Sequence, residues 1–203
     1  MKEHRRYNIG ILIGGVHTYF PKEHILGIAE AAEELDANVC FFLGTQTKDF
    51  FEDMLGGTHK NSFDYQFNTI HDYSLIGGLD GLIINYGTLG LQLKNESAER
   101  FALKFNSIPT VFLTEIVHEP NCHSLICDNN QGIRLVMAHL IEEHHCSNIL
   151  FVSGPAQNTD AKERKAAYFE MMERYHLPVS DKMIAQGDYS EFVDRQVDQL
   201  LDD

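Results

Sequence analysis

The sequence has little positive charge: 16 Lys and Arg stand against 30 Asp and Glu in 203 residues, a formal net charge of -14. That balance leaves no basic surface of the kind a phosphate backbone requires, which argues against direct nucleic-acid binding by this segment. The acidic excess reads as solubility, with a specific basic partner as the other reading. No stretch reaches the roughly 18 apolar residues that span a bilayer. The apolar IGILI behind the polar start MKEHRRYN is too brief for a signal-peptide core and lacks a small-residue cleavage site. Membrane insertion and secretion are therefore disfavoured, and a cytoplasmic location is expected. CxxC spacing is missing as well. Cys40, Cys122, Cys127 and Cys146 fall in or beside apparent strands and a helix end, so they are expected to be buried thiols in a reducing compartment.

Catalytic signatures are also scarce. Gly10, Gly14 and Gly15 do not fit G-x-G-x-x-G, and neither GxxxxGK[ST] nor GxSxG occurs. His139, Glu143, His144 and His145 form the most tempting metal cluster, with His139 and Glu143 one helical turn apart. HEXXH is absent, however, and a polar helix end accounts for them. The pairs Glu33-Glu34 and Asp202-Asp203 lie on polar faces or at the terminus. No cofactor or metal is expected, and nothing assembles a nucleophile, a base and an oxyanion site, so the chain is read as a non-enzyme.

What is present is a 43% hydrophobic content and a regular alternation of strand and helix signals. The run Ile9 to Ile13 reads as a buried parallel strand, followed by the Gly14-Gly15 turn and a helix from Pro21 to Leu35. VCFFLG from Val39 is a second strand; Thr45 to Phe63 is an irregular excursion, and a helix runs from Tyr65 to Leu75. GLIINYG from Gly81, TVFLTE from Thr110 and HSLIC before Asp128 supply three more strands, with a helix from Asn95 to Phe105 among them. The pattern then restarts: a helix from Asn130 to His144, the strand NILFVSG from Asn148, a helix from Asp160 to Tyr175, the strand-like MIAQGDY and a last helix from Glu191 to Leu201. Such alternation predicts an α/β protein with doubly wound parallel sheets. Two lobes follow, an N-terminal lobe over 1–128 and a partial C-terminal lobe over 129–203. Too little chain remains to finish the second sheet, so the natural protein is expected to continue past Asp203.

Several strings carry a resemblance: IGILIGG with Tyr19 and Phe20, LDGLII at 79–84, IPTVFL at 108–113, DNNQG at 128–132, HLIEEHHCSNILFVSGP at 139–155, DAKERKAAY at 160–168 and QGDY at 186–189. In this order and spacing they resemble the effector-binding domain of lactose-repressor (LacI) family regulators and sugar-binding proteins of the type I periplasmic-binding-protein fold. The resemblance implies a two-lobed fold closing on a small-molecule ligand, commonly as a homodimer. LacI regulators carry a helix-turn-helix before the first strand, whereas only eight residues precede Ile9 here. The excursion after the second strand, NYGTLG at 85–90 and YFEMMERYHLPV are similar to the subgroup at the amino end of bacterial signalling proteins. There the sensor feeds a downstream output domain, a GGDEF diguanylate cyclase or a kinase. The expectation is thus a cytoplasmic sugar- or nucleoside-sensing input module. The alternative is a LacI effector domain without its helix-turn-helix, and a solute-binding protein of an uptake system would need a signal peptide.

Ligands of open α/β sheets sit at the carboxyl ends of strands. The loop after the first strand holds Gly14, Gly15, His17, Thr18, Tyr19 and Phe20, and the resemblance sets an aromatic from it against a ligand ring; packing at the helix start is the plainer reading. Arg164 matches the arginine of the family's R-x-A-G-F-like stretch, with Ala167 in place of glycine. Its five fixed donors suit paired hydroxyls or a carboxylate, and a surface pair with Asp160 is the alternative. Asn158, Thr159 and Asp160 either cap the following helix or touch ligand. Tyr189 matches an aromatic that closes the pocket, with Asp188 bonding beside it, and simple strand-end packing is the alternative; Tyr86, Gly87 and Thr88 follow the third strand and either line the cleft or do not. Asp128 stands where the chain crosses between lobes, which implies a hinge.

Overall fold

The computed structural model describes residues 5–16, 19–44, 64–89, 97–156, 158–187, 189, 197–198 and 200–201. The excursion from Thr45 to Phe63, His17, Thr18, Asp188 and most of the last expected helix lie outside them. The chain divides into two compact units, Met1–Ile126 and Cys127–Asp203.

In the first unit, strands β1 (Asn8–Ile13), β2 (Asn38–Leu43), β3 (Gly81–Asn85), β4 (Thr110–Leu113) and β5 (Cys122–Leu125) form one sheet in the order β2-β1-β3-β4-β5. Every neighbouring pair is parallel. The central strand explains the choice: Ile11, Leu12 and Ile13 are each 0% exposed, so β1 is covered on both faces, as a continuous apolar run requires. Helix α1 (Tyr19–Glu34) joins β1 to β2, and the short helix α2 (Ala98–Ala102) precedes β4. The core gathers Leu12, Leu82, Ile84, Phe101, Phe105 and Phe112 between the sheet and α2.

The expected helix from Tyr65 to Leu75 is a 3-10 helix, Asp64–Leu75. Its polar residues suit the tighter winding, since the Ser74 hydroxyl donates to the His71 carbonyl three residues back at 2.7 Å. The cysteines are free thiols as expected and depart from expectation in burial alone. All four are free, and Cys40 and Cys127 are exposed, because Cys40 lies on the edge strand β2 and Cys127 follows the other edge strand, β5.

The second unit pairs β6 (Phe151–Ser153) in parallel with β7 (Ile184–Gln186), packed with helices α3 (Asn129–Ala138) and α4 (Thr159–Arg174). The strand expected from Asn148 is shorter because its partner β7 offers only three residues. Tyr168, Met171 and Met172 of α4 fill the core, where Tyr168 stacks on Phe151 at 4.9 Å between ring centres. Its hydroxyl donates to the Ile149 carbonyl at 2.9 Å. Helix α3 stops at Ala138 and continues as one wider π-turn, His139–Glu143.

Candidate functional site

The strand order of the first sheet reverses direction between β1 and β3, and the loops at their carboxyl ends meet at that switch point. The Gly14 amide donates to the Thr88 hydroxyl at 3.0 Å, and that hydroxyl donates to the Asn85 carbonyl at 2.8 Å. A Cβ on Gly14 would stand 2.4 Å from the Thr88 carbonyl oxygen, so the approach of the two loops requires glycine. At the end of β4, Thr114 has φ 68°, a strained conformation for a β-branched residue, and its hydroxyl accepts from the Gly87 amide at 3.3 Å. Asn85 is fully buried; its Nδ2 lies 2.7 Å from Nδ1 of His24 on α1, and its Oδ1 has no hydrogen-bond partner among the described residues. Burial holds the His24 imidazole below its ordinary pKa, which favours a neutral ring.

Tyr19 and Phe20 are exposed at the start of α1, with Phe20 edge-on to His24 at 4.4 Å. Tyr86 departs from the cleft-lining expectation. It is 1% exposed, its ring packed between Phe101 at 5.8 Å and Phe112 at 6.3 Å, because the apolar run of β3 carries it into the core. The neighbouring Gly87 is the exposed residue of that turn.

The second unit collects Asn158, Asp160, Arg164 and Tyr189 behind β6 and β7. Asn158 caps α4, accepting from the Ala161 amide at 2.9 Å, and the Tyr189 hydroxyl donates to the same Oδ1 at 3.0 Å. Asp160 is therefore not the cap. It accepts from Nδ2 of Asn129 at 2.9 Å, and Glu163 accepts from the same nitrogen at 3.0 Å. Arg164 reaches Asn129 rather than pairing directly with Asp160, as its Nε donates to Oδ1 of Asn129 at 2.7 Å. That bond uses one of five guanidinium donors. Tyr189, at φ 67°, lays its ring against Gly154, where a Cβ would fall 2.4 Å from the ring. Burial pushes the Tyr189 phenol up, opposed by the charge of Arg164. Asp128 caps α3 by accepting from the Gln131 amide at 2.8 Å.

Asn129, 6% exposed, was missed in the sequence although it holds Asp160, Glu163 and Arg164 together. A usable signal was there: Asp128 already satisfies the helix start, which leaves the next amide side chain for something else. Among the described residues, no group of three or more His, Cys, Asp or Glu side chains is placed to hold a metal ion. No described helix is long and apolar enough to cross a membrane.

No family model and no curated protein matches the sequence. Solved structures do match. The Escherichia coli transcriptional repressor AscG aligns at TM-score 0.65 and 18% identity over 97% of this chain and 65% of its own. A LacI-family sugar-binding transcriptional regulator from Escherichia coli, complexed with phosphate, gives 0.63 and 20% over 96% of this chain and 63% of its own. The lac repressor dimer bound to operator and an anti-inducer gives 0.66 and 20% over 98% and 62%. The chain has the type I periplasmic-binding-protein-like fold of LacI regulator domains, and it spans less than two thirds of these relatives' length.

Proposed function

We propose that this chain is the small-molecule-sensing part of a LacI-type transcription regulator that acts by binding rather than turnover. The observation that carries the reading is the constellation behind β6 and β7: Asn129 braces Arg164 against Asp160 and Glu163, while Asn158 positions Tyr189. An oriented guanidinium beside an aromatic face suits a polyhydroxylated ring, sugar- or nucleoside-like, which needs paired hydrogen bonds and an apolar platform.

The structural relatives named above are transcription regulators, one described as sugar-binding and one as an operator-bound dimer. That supports the regulator over the GGDEF- or kinase-linked input module, which no observation favours. By extension the ligand works through a cytoplasmic homodimer, with DNA reading supplied outside these residues, since their charge of -14 suits no phosphate backbone. Ligand control then equals the ligand's preference for one conformation over another.

A thermal-shift and calorimetry screen of the chain against monosaccharides, disaccharides and nucleosides tests the reading. A ligand-dependent shift abolished by Arg164→Ala, with circular dichroism unchanged, is the expected result. No shift across the panel would overturn it.

A further inference from the structure

The sequence sets His139 beside Glu143, one helical turn on, but the fold does something else. Where α3 gives way to the π-turn His139–Glu143, the wider winding brings His139 round to His144, five residues later. Their Nε2 atoms stand 3.0 Å apart, and the two rings meet edge to face at 84° with centres 4.7 Å apart. Both side chains are exposed.

Two imidazole nitrogens bound to one ion at about 2.0–2.1 Å and roughly a right angle are themselves about 3 Å apart. The pair therefore already has the spacing of two adjacent ligands on a single metal. We infer that His139 and His144 form a two-imidazole chelate for a divalent d-block cation such as nickel, copper or zinc. The ion binds both Nε2 atoms in place of the hydrogen bond between them; the donor ring gives up its Nε2 proton to solvent and takes one at Nδ1, so both rings bind as neutral imidazoles and no net proton is released. Imidazole nitrogen selects these ions over magnesium and calcium, which prefer oxygen.

The surroundings favour nitrogen and water as the donor set. Glu142 is occupied by the Tyr175 hydroxyl, which donates to it. Cys146 packs its side chain against the core of the second unit. Solvent water completes the coordination sphere, and a π-turn at a helix end is the kind of local irregularity that accompanies binding sites.

Nickel chloride titrated calorimetrically into the full chain tests the site. Wild type is expected to bind one nickel ion at a site that His139→Ala and His144→Ala each weaken by about tenfold or more through loss of chelation, whereas His145→Ala leaves it unchanged. Saturating nickel should also raise the Tm of wild type and of His145→Ala, but not of His144→Ala, because only a closed chelate braces the π-turn. Equal nickel affinity in wild type and both chelate variants would overturn the inference, as would full retention of the Tm shift in His144→Ala.

Discussion

Asn129 and Arg164 are joined by a 2.7 Å hydrogen bond that ties the first turn of α3 to the second turn of α4. The same asparagine donates to Asp160 and Glu163, so one neutral side chain keeps two carboxylates and a guanidinium in place. Truncating it leaves three polar partners without their mate. Asn129→Ala is expected to cost about 1–3 kcal/mol in urea denaturation. Asn129→Asp should fare no better, since a third carboxylate then faces the other two. Retention of wild-type stability by the alanine variant contradicts this account.

Gly14 and Gly154 separate backbone from side-chain crowding. A methyl on Gly14 meets the Thr88 carbonyl oxygen, part of the backbone of the 3-10 turn that follows β3, whereas one on Gly154 meets the movable ring of Tyr189. Gly14→Ala should therefore lower stability by about 1–3 kcal/mol. Gly154→Ala should instead displace Tyr189, read as increased quenching of tyrosine fluorescence with a smaller change in Tm. Equal Tm losses would show that the Tyr189 ring is as rigidly held as the backbone.

His71 on the 3-10 helix is 4% exposed, and its Nε2 has no hydrogen-bond partner among the described residues. Burial lowers its pKa from 6.5 to about 4, with Asp72 opposing and Lys104 adding to the shift. Between those values the unfolded chain binds the proton that the folded chain refuses, so stability rises with pH. The contribution is complete above about pH 6.5 and disappears as pH falls to about 4, amounting to about 3 kcal/mol. His71→Leu should flatten that part of the pH–stability curve. An unchanged slope would assign it to other groups.

Tyr168 combines a stacked ring with a buried hydrogen bond to Ile149. Tyr168→Phe keeps the stacking on Phe151 and leaves the Ile149 carbonyl without its donor, an expected loss of about 1–2 kcal/mol in denaturant melts. A neutral result would mean that solvent reaches that carbonyl.

Thiol labelling checks the cysteine correction. Cys40 and Cys127 are exposed, whereas Cys122 is partly covered and its thiol is pushed up by burial and by Glu119. A disulfide reagent at mildly alkaline pH should modify Cys40 and Cys127 before Cys122, followed by peptide mass mapping. The reverse order would restore the expectation of buried thiols.

The parallel sheet was legible because a strand covered on both faces must be apolar throughout, and Ile9 to Ile13 and Leu82 to Ile84 are. Exposure at sheet edges was not, since Cys40 and Cys127 owe it to strand order, which no local pattern encodes. Tyr86 follows a strand and reads equally well as packing or lining until Phe101 and Phe112 close around it. Of the expected residues, Arg164 and Tyr189 came through resemblance and Asn158 and Asp160 through their place before a helix; the structure bonds Tyr189 to Asn158 and joins Asp160 to Arg164 through Asn129. Asn129 escaped because its work is done through three-dimensional convergence of two helices, and the His139–His144 pair because a π-turn alters the helical spacing by one residue.

Asn158 serves two masters with one oxygen: it fastens the first amide turn of α4 and holds the Tyr189 hydroxyl. The opening of that helix and the position of the aromatic are thereby a single equilibrium. A molecule that draws Tyr189 onto itself frees the oxygen to grip Ala161 alone, so the amide proton of Ala161 becomes a clock, exchanging with solvent at a rate that reports where the ring is.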